Sequence, residues 1–484
     1  MKKILILFTF LLSISISKAN IIYVNINASG ANTGASWNDA YTNLQTALIL
    51  AQSGDQIWVA RGTYKPTSSN ISVSFTINGG ISLYGGFLGN ENNLSQRIAF
   101  CNETILSGDL LDNDSNNISS LQDNSRNIVS IINQSSNIII DGFTIQKAFS
   151  NSNISNQWQV KRGGIYVWSS ANVNISNCII KNNSSYTGSG IAIYGSSANI
   201  SNCIVTNNYA NDDAGGMDFA FDGVINVKNC LIYNNLCDDV DSGAGSGSGV
   251  RLVHSAGSSS YPDIYNFENC TIANNLANNT TTIAGVCITN NYARARFNNC
   301  IIYGNANADL GFGEIDQLNN SAVGVNLSFS SASFSENPQF ISNTDFRLST
   351  TSPYIDAGIN SLSTSLFDLY GGNRINNGTI DLGAFEYGNA LPNCNSLDIP
   401  QILNIANLFS VYPNPTKDFL TIQLNNPDIE NVTVSILNSL GQKIKSSSDV
   451  NNGKIILSVE DLSNGIYFIS LSGNKSNTVK FIKY

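Results

Sequence analysis

A short phrase in which Asn-Cys precedes β-branched residues recurs through the middle of the chain. Its five copies begin at Asn177, Asn202, Asn229, Asn269 and Asn299. The steps between their cysteines are 25, 27, 40 and 30 residues, and a degenerate copy with Phe143 in the cysteine position precedes them. Repeats of this length, built from short apolar runs without helical periodicity, predict a β-solenoid in which each repeat is one coil.

Strand alternation fixes which side chains of a coil face the core. Cys178 and Ile180 are expected inside, and Ile179 outside or in a bend. Equivalent cysteines then stack on parallel strands about 4.8 Å apart, wider than the roughly 3.5–4.5 Å that a disulfide needs between Cβ atoms. We therefore expect a ladder of buried free thiols. The preceding asparagines are expected at coil corners in the left-handed conformation, with their amides hydrogen-bonded from coil to coil.

A second strand begins after a glycine in five coils. These glycines are Gly164, Gly190, Gly216, Gly249 and Gly285. Alignment at the glycines predicts another parallel sheet. The inward positions are Ile165, Val167, Ile191, Ile193, Met217, Phe219, Val250, Leu252, Val286 and Ile288. The outward positions predict an exposed aromatic strip beside charged groups, namely Tyr166, Trp168 and Tyr194 beside Asp218, Asp222 and Arg251.

This outward strip has two interpretations. Flat aromatic rings beside carboxylates and a guanidinium are typical of surfaces that bind sugar rings. Alternatively, the same residues are ordinary cross-strand packing with an Asp218–Arg251 surface ion pair worth under about 1 kcal/mol. Both interpretations stay open on the sequence alone.

The loops that lead into this sheet are acidic. They contain Asp212, Asp213, Asp238, Asp239 and Asp241, and the step of 27 residues between Cys203 and Cys230 places Asp212 beside Asp239. Calcium prefers oxygen ligands in flexible loops, so Ca²⁺ is the one cofactor that these loops suggest. Solvated acidic turns are the alternative interpretation.

Composition excludes several classes of function. His254 is the single histidine, which argues against a His-ligated metal site or a Ser-His-Asp triad. A net charge of −10 opposes nucleic-acid binding.

The N-terminus predicts export. Lys2 and Lys3 precede an apolar run, and Ser17-Lys18-Ala19 supplies small residues for cleavage before Asn20. The run is shorter than the roughly 20 residues that span a bilayer. We therefore expect a removable signal peptide and no transmembrane anchor after cleavage.

A helix is expected to cover the first coil. Asn38 can cap it, and Gly54 follows its end. The apolar residues at helical spacing are Ala40, Leu44, Ala47, Leu48 and Ala51.

Residues 21–387 resemble secreted right-handed β-helix proteins that carry variable C-terminal surface anchors. The resemblance rests on segments such as Asp55-Gln56-Ile57-Trp58-Val59 and Gly62-Thr63-Tyr64 near the start, and Ser352-Pro353-Tyr354-Ile355-Asp356-Ala357-Gly358 and Ile380-Asp381-Leu382-Gly383-Ala384-Phe385-Glu386 near the end. Such folds include polysaccharide lyases and glycosidases, but fold alone is only analogy. Arg251 is the one candidate base for a lyase. Asp218 and Asp222 lie roughly 13 Å apart along a strand, too far for a glycosidase pair.

After Tyr387 the pattern changes to a linker and then to seven short alternating strands, which predict a small β-sandwich. This segment resembles the sorting domain of the type IX secretion system, which implies recognition by that machinery. The matching residues are Tyr412, Pro413, Asn414, Pro415, Gly441, Gly465, Tyr467 and Lys480. An immunoglobulin-like adhesive module is the alternative.

Together these patterns predict an all-β chain: a right-handed parallel β-helix (solenoid) with a short N-terminal capping helix, followed by a small C-terminal immunoglobulin-like β-sandwich. The expected divisions are a signal peptide (1–19), an N-terminal cap with the first coils (20–110), β-helix coils (111–336), a closing segment (337–388), a linker (389–407) and the sorting domain (408–484). We expect a secreted or surface protein, adhesin-like or glycan-binding. A polysaccharide lyase or glycoside hydrolase is the second candidate, and a structural filament the third.

Overall fold

Two compact units make up the chain in the computed structural model, Met1–Asn395 and Ser396–Tyr484. The structure describes residues 19–115, 118–150, 163–170, 172–221, 223–238, 246–254, 263–280, 282–289, 293–311, 313, 315–324, 334–392, 394, 409–412, 416–424, 433–438, 443–447, 454–472 and 477–483. The expected signal peptide (1–19) therefore lies almost entirely outside the described residues.

The first unit is a parallel β-helix, as the repeats predict. Successive coils add one strand each to long parallel sheets, here called sheets A to D. Sheet A contains Ile21–Val24, Gln56–Ala60, Ser82–Phe87, Ile138–Asp141, Val173–Ser176, Ala198–Ser201, Val224–Lys228, Ile264–Glu268, Arg294–Asn298 and Ile315–Asn319. Sheet B contains Gly62–Tyr64, Thr104–Ser107, Thr144–Gln146, Ile179–Lys181, Ile204–Thr206, Leu231–Tyr233, Thr271–Ala273, Ile301–Tyr303 and Ala322–Val323.

Sheet C contains Phe75–Thr76, Val129–Ile132, Ile165–Trp168, Ile191–Tyr194, Met217–Ala220, Val250–Val253, Val286–Ile288 and Leu310–Gly311. The short sheet D contains Ser184–Ser185, Tyr209–Ala210, Leu236–Cys237 and Leu276–Ala277. Brief 3₁₀ turns occur at Leu94–Gln96, Ile118–Leu121 and Asn360–Leu362.

The cysteines of the repeated phrase stack on successive coils. Ile179 pairs with Ile204, and Ile204 with Leu231, so the cysteine before each of them occupies the same position in its coil. All five are free and fully buried, namely Cys178, Cys203, Cys230, Cys270 and Cys300. The predicted thiol ladder is confirmed, because parallel pairing fixes the register of every coil on the one before it.

A ladder of asparagines turns the corner between sheets A and B. Its members, the corner ladder, are Asn177, Asn202, Asn229, Asn269, Asn299 and Asn320, all with φ between 47° and 52°. The Nδ2 atom of Asn202 donates to Oδ1 of Asn177 (3.4 Å), and Asn229 donates likewise to Asn202 (3.2 Å). Asn is tolerated in this left-handed conformation, so the predicted corner role is confirmed.

A second asparagine ladder lies inside the wall of the β-helix, between sheets B and D. Its members are Asn183, Asn208, Asn235, Asn275 and Asn305. Asn235, for example, donates to Oδ1 of Asn275 (3.0 Å) and to the backbone oxygen of Val205 (3.0 Å). These amides satisfy backbone groups that the corner would otherwise leave unpaired.

Stacked glycines precede the strands of sheet C because a Cβ atom would not fit at these positions. A Cβ on Gly190 would lie 2.3 Å from the backbone oxygen of Gly216, and one on Gly216 would lie 2.3 Å from that of Gly249. The ten residues predicted to face inward from this sheet are all fully buried in the main core.

The N-terminal helix spans Leu44–Leu50 and buries Leu44, Ala47 and Leu48 against the first coils. The prediction of Asn38 as its cap is wrong. Asn43 is the cap, and its Oδ1 accepts from the backbone N of Gln45 (2.7 Å) and Thr46 (3.3 Å). The helix cannot begin earlier because Tyr41 pairs with Val24 in a parallel β-bridge.

Residues 337–392, the return segment, follow the last coil and pack along the outer face of sheet B. Phe346, Leu369 and Phe385 cover Ile204 and Leu231 there. The segment ends beside the early coils, where a disulfide joins Cys394 to Cys101. Sequence reasoning did not assign this pair, because the two cysteines lie outside the repeats.

The second unit is a small β-sandwich with the seven expected strands. One antiparallel sheet contains Phe409–Tyr412, Phe419–Leu424 and Lys454–Ser458, and the other contains Lys443–Ser447, Thr433–Leu437, Gly465–Ser472 and Asn477–Lys483. Leu420, Ile422, Val434 and Ile436 are among the fully buried residues of its core. Buried apolar residues alternate with more exposed ones in the strands Phe419–Leu424 and Lys454–Ser458, which is why the pattern was visible in the sequence.

Candidate functional site

The outer face of sheet C has the register that the glycine alignment predicts. Tyr166 pairs with Ala192, and Trp168 with Tyr194. On the next two coils Asp218 pairs with Arg251. The structure therefore brings Tyr166, Trp168, Tyr194, Asp218 and Arg251 onto one face, whereas Asp222 lies outside the described residues.

The expectation of an exposed aromatic strip is wrong for two of its three members. Tyr166 is 1% exposed and Tyr194 is 2% exposed, whereas Trp168 is 37% exposed. The rings pack edge to face on one another, with centroids 6.2 Å apart for Tyr166–Tyr194 and 6.3 Å for Trp168–Tyr194. The hydroxyl of Tyr194 also donates to the buried carboxylate of Asp218. Strand alternation predicts that the side chains of Tyr166 and Tyr194 point outward, but it does not predict that neighbouring side chains bury them.

A further aromatic residue, Phe221, belongs to this face and was missed in the sequence. Its ring is 38% exposed and lies 6.4 Å from that of Trp168 and 5.6 Å from that of Tyr194. Trp168 and Phe221 are here called the aromatic pair. Phe221 follows the strand Met217–Ala220, at the corner that ends each strand of sheet C.

The backbone of Phe221 is in the left-handed region, with φ of 64°. The equivalent corner positions of the three preceding coils are occupied by Asn133, Ser169 and Gly195, each also with positive φ. A bulky side chain in this conformation costs about 1–2 kcal/mol. Backbone strain of this kind concentrates at functional sites, so Phe221 is a functional candidate on physical grounds.

Arg251 lies between two carboxylates at the polar end of the face. Its Nη2 is 2.8 Å from Oδ1 of Asp213, and its Nη1 is 3.3 Å from Oδ1 of Asp218. The Arg251 side chain is 20% exposed and that of Asp218 is fully buried, so this is not the surface ion pair of the alternative interpretation. Burial acts to lower the pKa of Arg251, but the two carboxylates outweigh it and hold the pKa above its ordinary value.

The acidic loops are only partly described. Asp239 and Asp241 lie outside the described residues, so the expected proximity of Asp212 and Asp239 stays a prediction. Asp213 binds Arg251, and Asp238 accepts from the hydroxyl of Tyr209 (2.5 Å) and from Nδ2 of Asn278 (2.6 Å). Within the described ranges, no three Asp, Glu, His or Cys side chains are grouped to hold a metal ion.

His254 lies at the bend that follows the strand Val250–Val253. Its Nδ1 is 3.0 Å from a carboxylate oxygen of Asp263, and both side chains are buried. The pair therefore fixes this corner against the next strand of sheet A.

The matching residues of the second unit are described in part. Tyr412 is 44% exposed, Tyr467 is buried against Phe481, and Gly465 and Lys480 lie on paired strands. Pro413, Asn414, Pro415 and Gly441 lie outside the described residues. Within the described part of the chain, no helix has the length and apolar character needed to cross a membrane.

Comparison with solved structures finds distant similarities. The chain is similar to a pectate lyase, Pel9A, at 16% identity, with 77% of this chain and 97% of that chain covered and a TM-score of 0.41. It is also similar to a pectin methylesterase from Aspergillus niger, at 15% identity, with 66% of this chain and 92% of that chain covered and a TM-score of 0.32. Its similarity to a rhamnogalacturonan lyase is at 13% identity, with 63% of this chain and 74% of that chain covered and a TM-score of 0.30. Shared chemistry does not follow from similarity at this level. No curated protein matches the chain.

Residues 410–483 match the family model of the secretion system C-terminal sorting domain. The match covers the β-sandwich unit and agrees with the resemblance read from its motifs. The second unit is therefore a sorting domain of the type IX secretion system, and the chain is a parallel β-helix protein that is secreted or displayed on the outer-membrane surface.

Proposed function

We propose that the β-helix is a glycan-binding, adhesin-like domain and that the aromatic pair Trp168–Phe221 forms its binding platform. The observation that carries this proposal is the backbone of Phe221. A phenyl ring occupies a left-handed corner position that preceding coils fill with Asn, Ser or Gly. The Phe221 side chain is 38% exposed and so presents aromatic surface to a ligand, although its packing on Trp168 and Tyr194 offsets a comparable part of the strain of about 1–2 kcal/mol.

The geometry around the pair suits a sugar ring. The two rings are T-shaped, with planes at 72°, and both contact the buried ring of Tyr194, which holds them in place. Sugar rings present apolar C–H faces to aromatic rings and hydroxyls to polar groups. Arg251, on the strand next to the one that Phe221 follows, would supply hydrogen-bond donors to such hydroxyls.

Lyase activity is the second candidate, and the electrostatics of Arg251 weigh against it. A base must lose a proton near the working pH. The carboxylates of Asp213 and Asp218 instead hold the pKa of Arg251 above its ordinary value, although burial opposes them. This guanidinium is therefore suited to binding rather than to proton abstraction.

A polysaccharide array tests the proposal. The secreted protein is expected to bind at least one extracellular polysaccharide, and Trp168→Ala should abolish that binding. Tyr387→Ala is the control, since Tyr387 is an equally exposed aromatic residue in the return segment. Unchanged array binding in Trp168→Ala would remove the aromatic pair from consideration. Formation of unsaturated product from acidic polysaccharide, lost in Arg251→Ala, would favour the lyase instead.

A further inference from the structure

The corner ladder divides into two parts according to what its amides bind. The later members hold the return segment: Asn229 donates to the backbone oxygen of Phe367 (2.9 Å), Asn269 to Oγ of Ser363 (2.6 Å), Asn299 to the oxygen of Ile359 (3.1 Å) and Asn320 to that of Ala357 (2.8 Å). The two earliest members, Asn177 and Asn202, have no such partner among the described residues. They line an open groove instead.

This groove has a volume of about 390 Å³, within the range of small-molecule sites. Asn177 and Asn202 line it between two walls. One wall is the segment that contains Arg97 and Phe100, and the other is the part of the return segment that contains Phe367 and Tyr370. The rings of Phe100 and Tyr370 are 5.7 Å apart, and Phe367 is 53% exposed.

The amides in the groove have unused donor capacity. An Asn side chain carries two N–H groups. Asn229 uses one along the ladder and one on the return segment. Asn202 donates to Asn177, and Asn177 donates to Oδ2 of Asp141 (3.0 Å), which leaves each of them one N–H with no acceptor among the described residues.

We propose that this groove binds a short neutral saccharide. The two spare donors are one coil apart, about 4.8 Å, a separation comparable to that of alternate hydroxyls on a pyranose ring. Phe100, Phe367 and Tyr370 supply aromatic surface for the C–H faces of the sugar.

Charge favours a neutral ligand. Arg97, the charged side chain of the groove, is already paired with Asp141 at 2.5 Å, and the chain as a whole carries a net charge of −10. An acidic polymer would meet repulsion without a free cation in the groove. This site is separate from the aromatic pair on sheet C, and it does not rest on the function proposed for that face.

Calorimetric titration of the secreted protein tests the groove. The probes are linear hexasaccharides of glucose, mannose and xylose, and the background variant is Trp168→Ala with Phe221→Gly, which removes the other face. At least one probe is expected to bind this background. Phe367→Ala and Asn202→Gly should each weaken that binding by about tenfold, the equivalent of ~1.4 kcal/mol. Glycine is chosen at position 202 because it accepts the positive φ.

The matched control is Asn199→Gly, an exposed asparagine of the same coil that forms ladder hydrogen bonds outside the groove. It should leave the affinity within about twofold, under ~0.5 kcal/mol. Phe367→Ala keeps the test valid if Asn202→Gly unfolds, because the Phe367 side chain is more than half exposed.

Three results would overturn the proposal. The first is that no neutral hexasaccharide binds the background variant. The second is that a hexasaccharide binds it but neither groove variant weakens the binding. The third is that Asn199→Gly weakens the binding as much as Asn202→Gly does, which would show that the effect does not depend on the groove.

Discussion

Cys101 and Cys394 form a disulfide that joins positions 293 residues apart in the chain. Cys101 follows the early coil segment around Phe100, and Cys394 follows the return segment after it has passed along sheet B. Because Cys394 is next to the end of the first unit, the bond ties the C-terminal end of the return segment to the early coils.

Loss of this disulfide is expected to destabilise the β-helix. Replacement of both cysteines, Cys101→Ser with Cys394→Ser, should lower the free energy of unfolding by about 2–5 kcal/mol, because the unfolded chain regains the freedom of a very long loop. Urea denaturation of the secreted protein measures this. A reducing agent should shift the midpoint of the natural protein and leave that of the double variant where it is. Equal midpoints for the two proteins without reductant would contradict the expectation.

The free thiols are expected to be unreactive in the folded protein. Seven cysteines are free and buried, and burial raises the pKa of Cys178 and Cys203. A reagent must reach the sulfur atom, which burial prevents for all seven, and only the thiolate reacts rapidly. A thiol reagent at pH 8 should therefore label none of them in the native state and seven after denaturation without reduction. Fast labelling of even one native thiol would contradict this expectation.

The second asparagine ladder, inside the wall of the β-helix and here called the inner ladder, is expected to be essential for stability. Asn235→Ala would leave the amide of Asn208 and the backbone of Val205 without their partner in a buried wall. Each unsatisfied buried group costs about 1–3 kcal/mol, so we expect a loss above ~3 kcal/mol. Asn226→Ala is the control, because Asn226 belongs to an exposed ladder in the same coil. Similar thermal midpoints for the two variants would refute a special role of the inner ladder.

Stability is also expected to depend on the protonation of Glu386. This carboxyl is buried beside Arg374, and burial raises its pKa from 4.5 to about 8 although Arg374 opposes the shift. The folded protein therefore binds more protons than the unfolded chain between these pH values. The stability that Glu386 contributes is fully present below about pH 4.5 and should fall as pH rises to about 8, by about 1.4 kcal/mol per pH unit at most.

Glu386→Gln should abolish this contribution, because Gln keeps the neutral form at all pH values. Its stability relative to the natural protein should therefore increase from pH 5 to pH 8 in denaturant titrations. Glu103→Gln, at a side chain that is 46% exposed, serves as the control. A pH profile that is parallel in Glu386→Gln and the natural protein would rule out this linkage.

The repeated Asn-Cys phrase was enough to predict the coils, because parallel pairing forces equivalent residues into the same position. Cys178, Cys203 and Asn177 lie where that rule places them. The pairing of Cys101 with Cys394 could not be predicted, because it depends on the path of the return segment.

The candidate site was predicted less well for a physical reason. Alternation gives the direction of Tyr166 and Tyr194 but not their burial, which depends on how neighbouring rings pack. Phe221 was missed because its significance lies in its backbone. The sequence indicates a positive φ at Phe221 only when its coil is aligned with the preceding one, because Phe221 then occupies the corner position of Gly195.

Titration of Phe221→Gly with the best-bound polysaccharide tests the glycan-binding account most directly. Glycine suits the left-handed corner, which offsets the lost packing of the ring, so the thermal midpoint should stay close to that of the natural protein while the affinity falls at least about tenfold, ~1.4 kcal/mol. Unchanged affinity in this folded variant would contradict the account, because the strained phenyl ring would then have no part in binding.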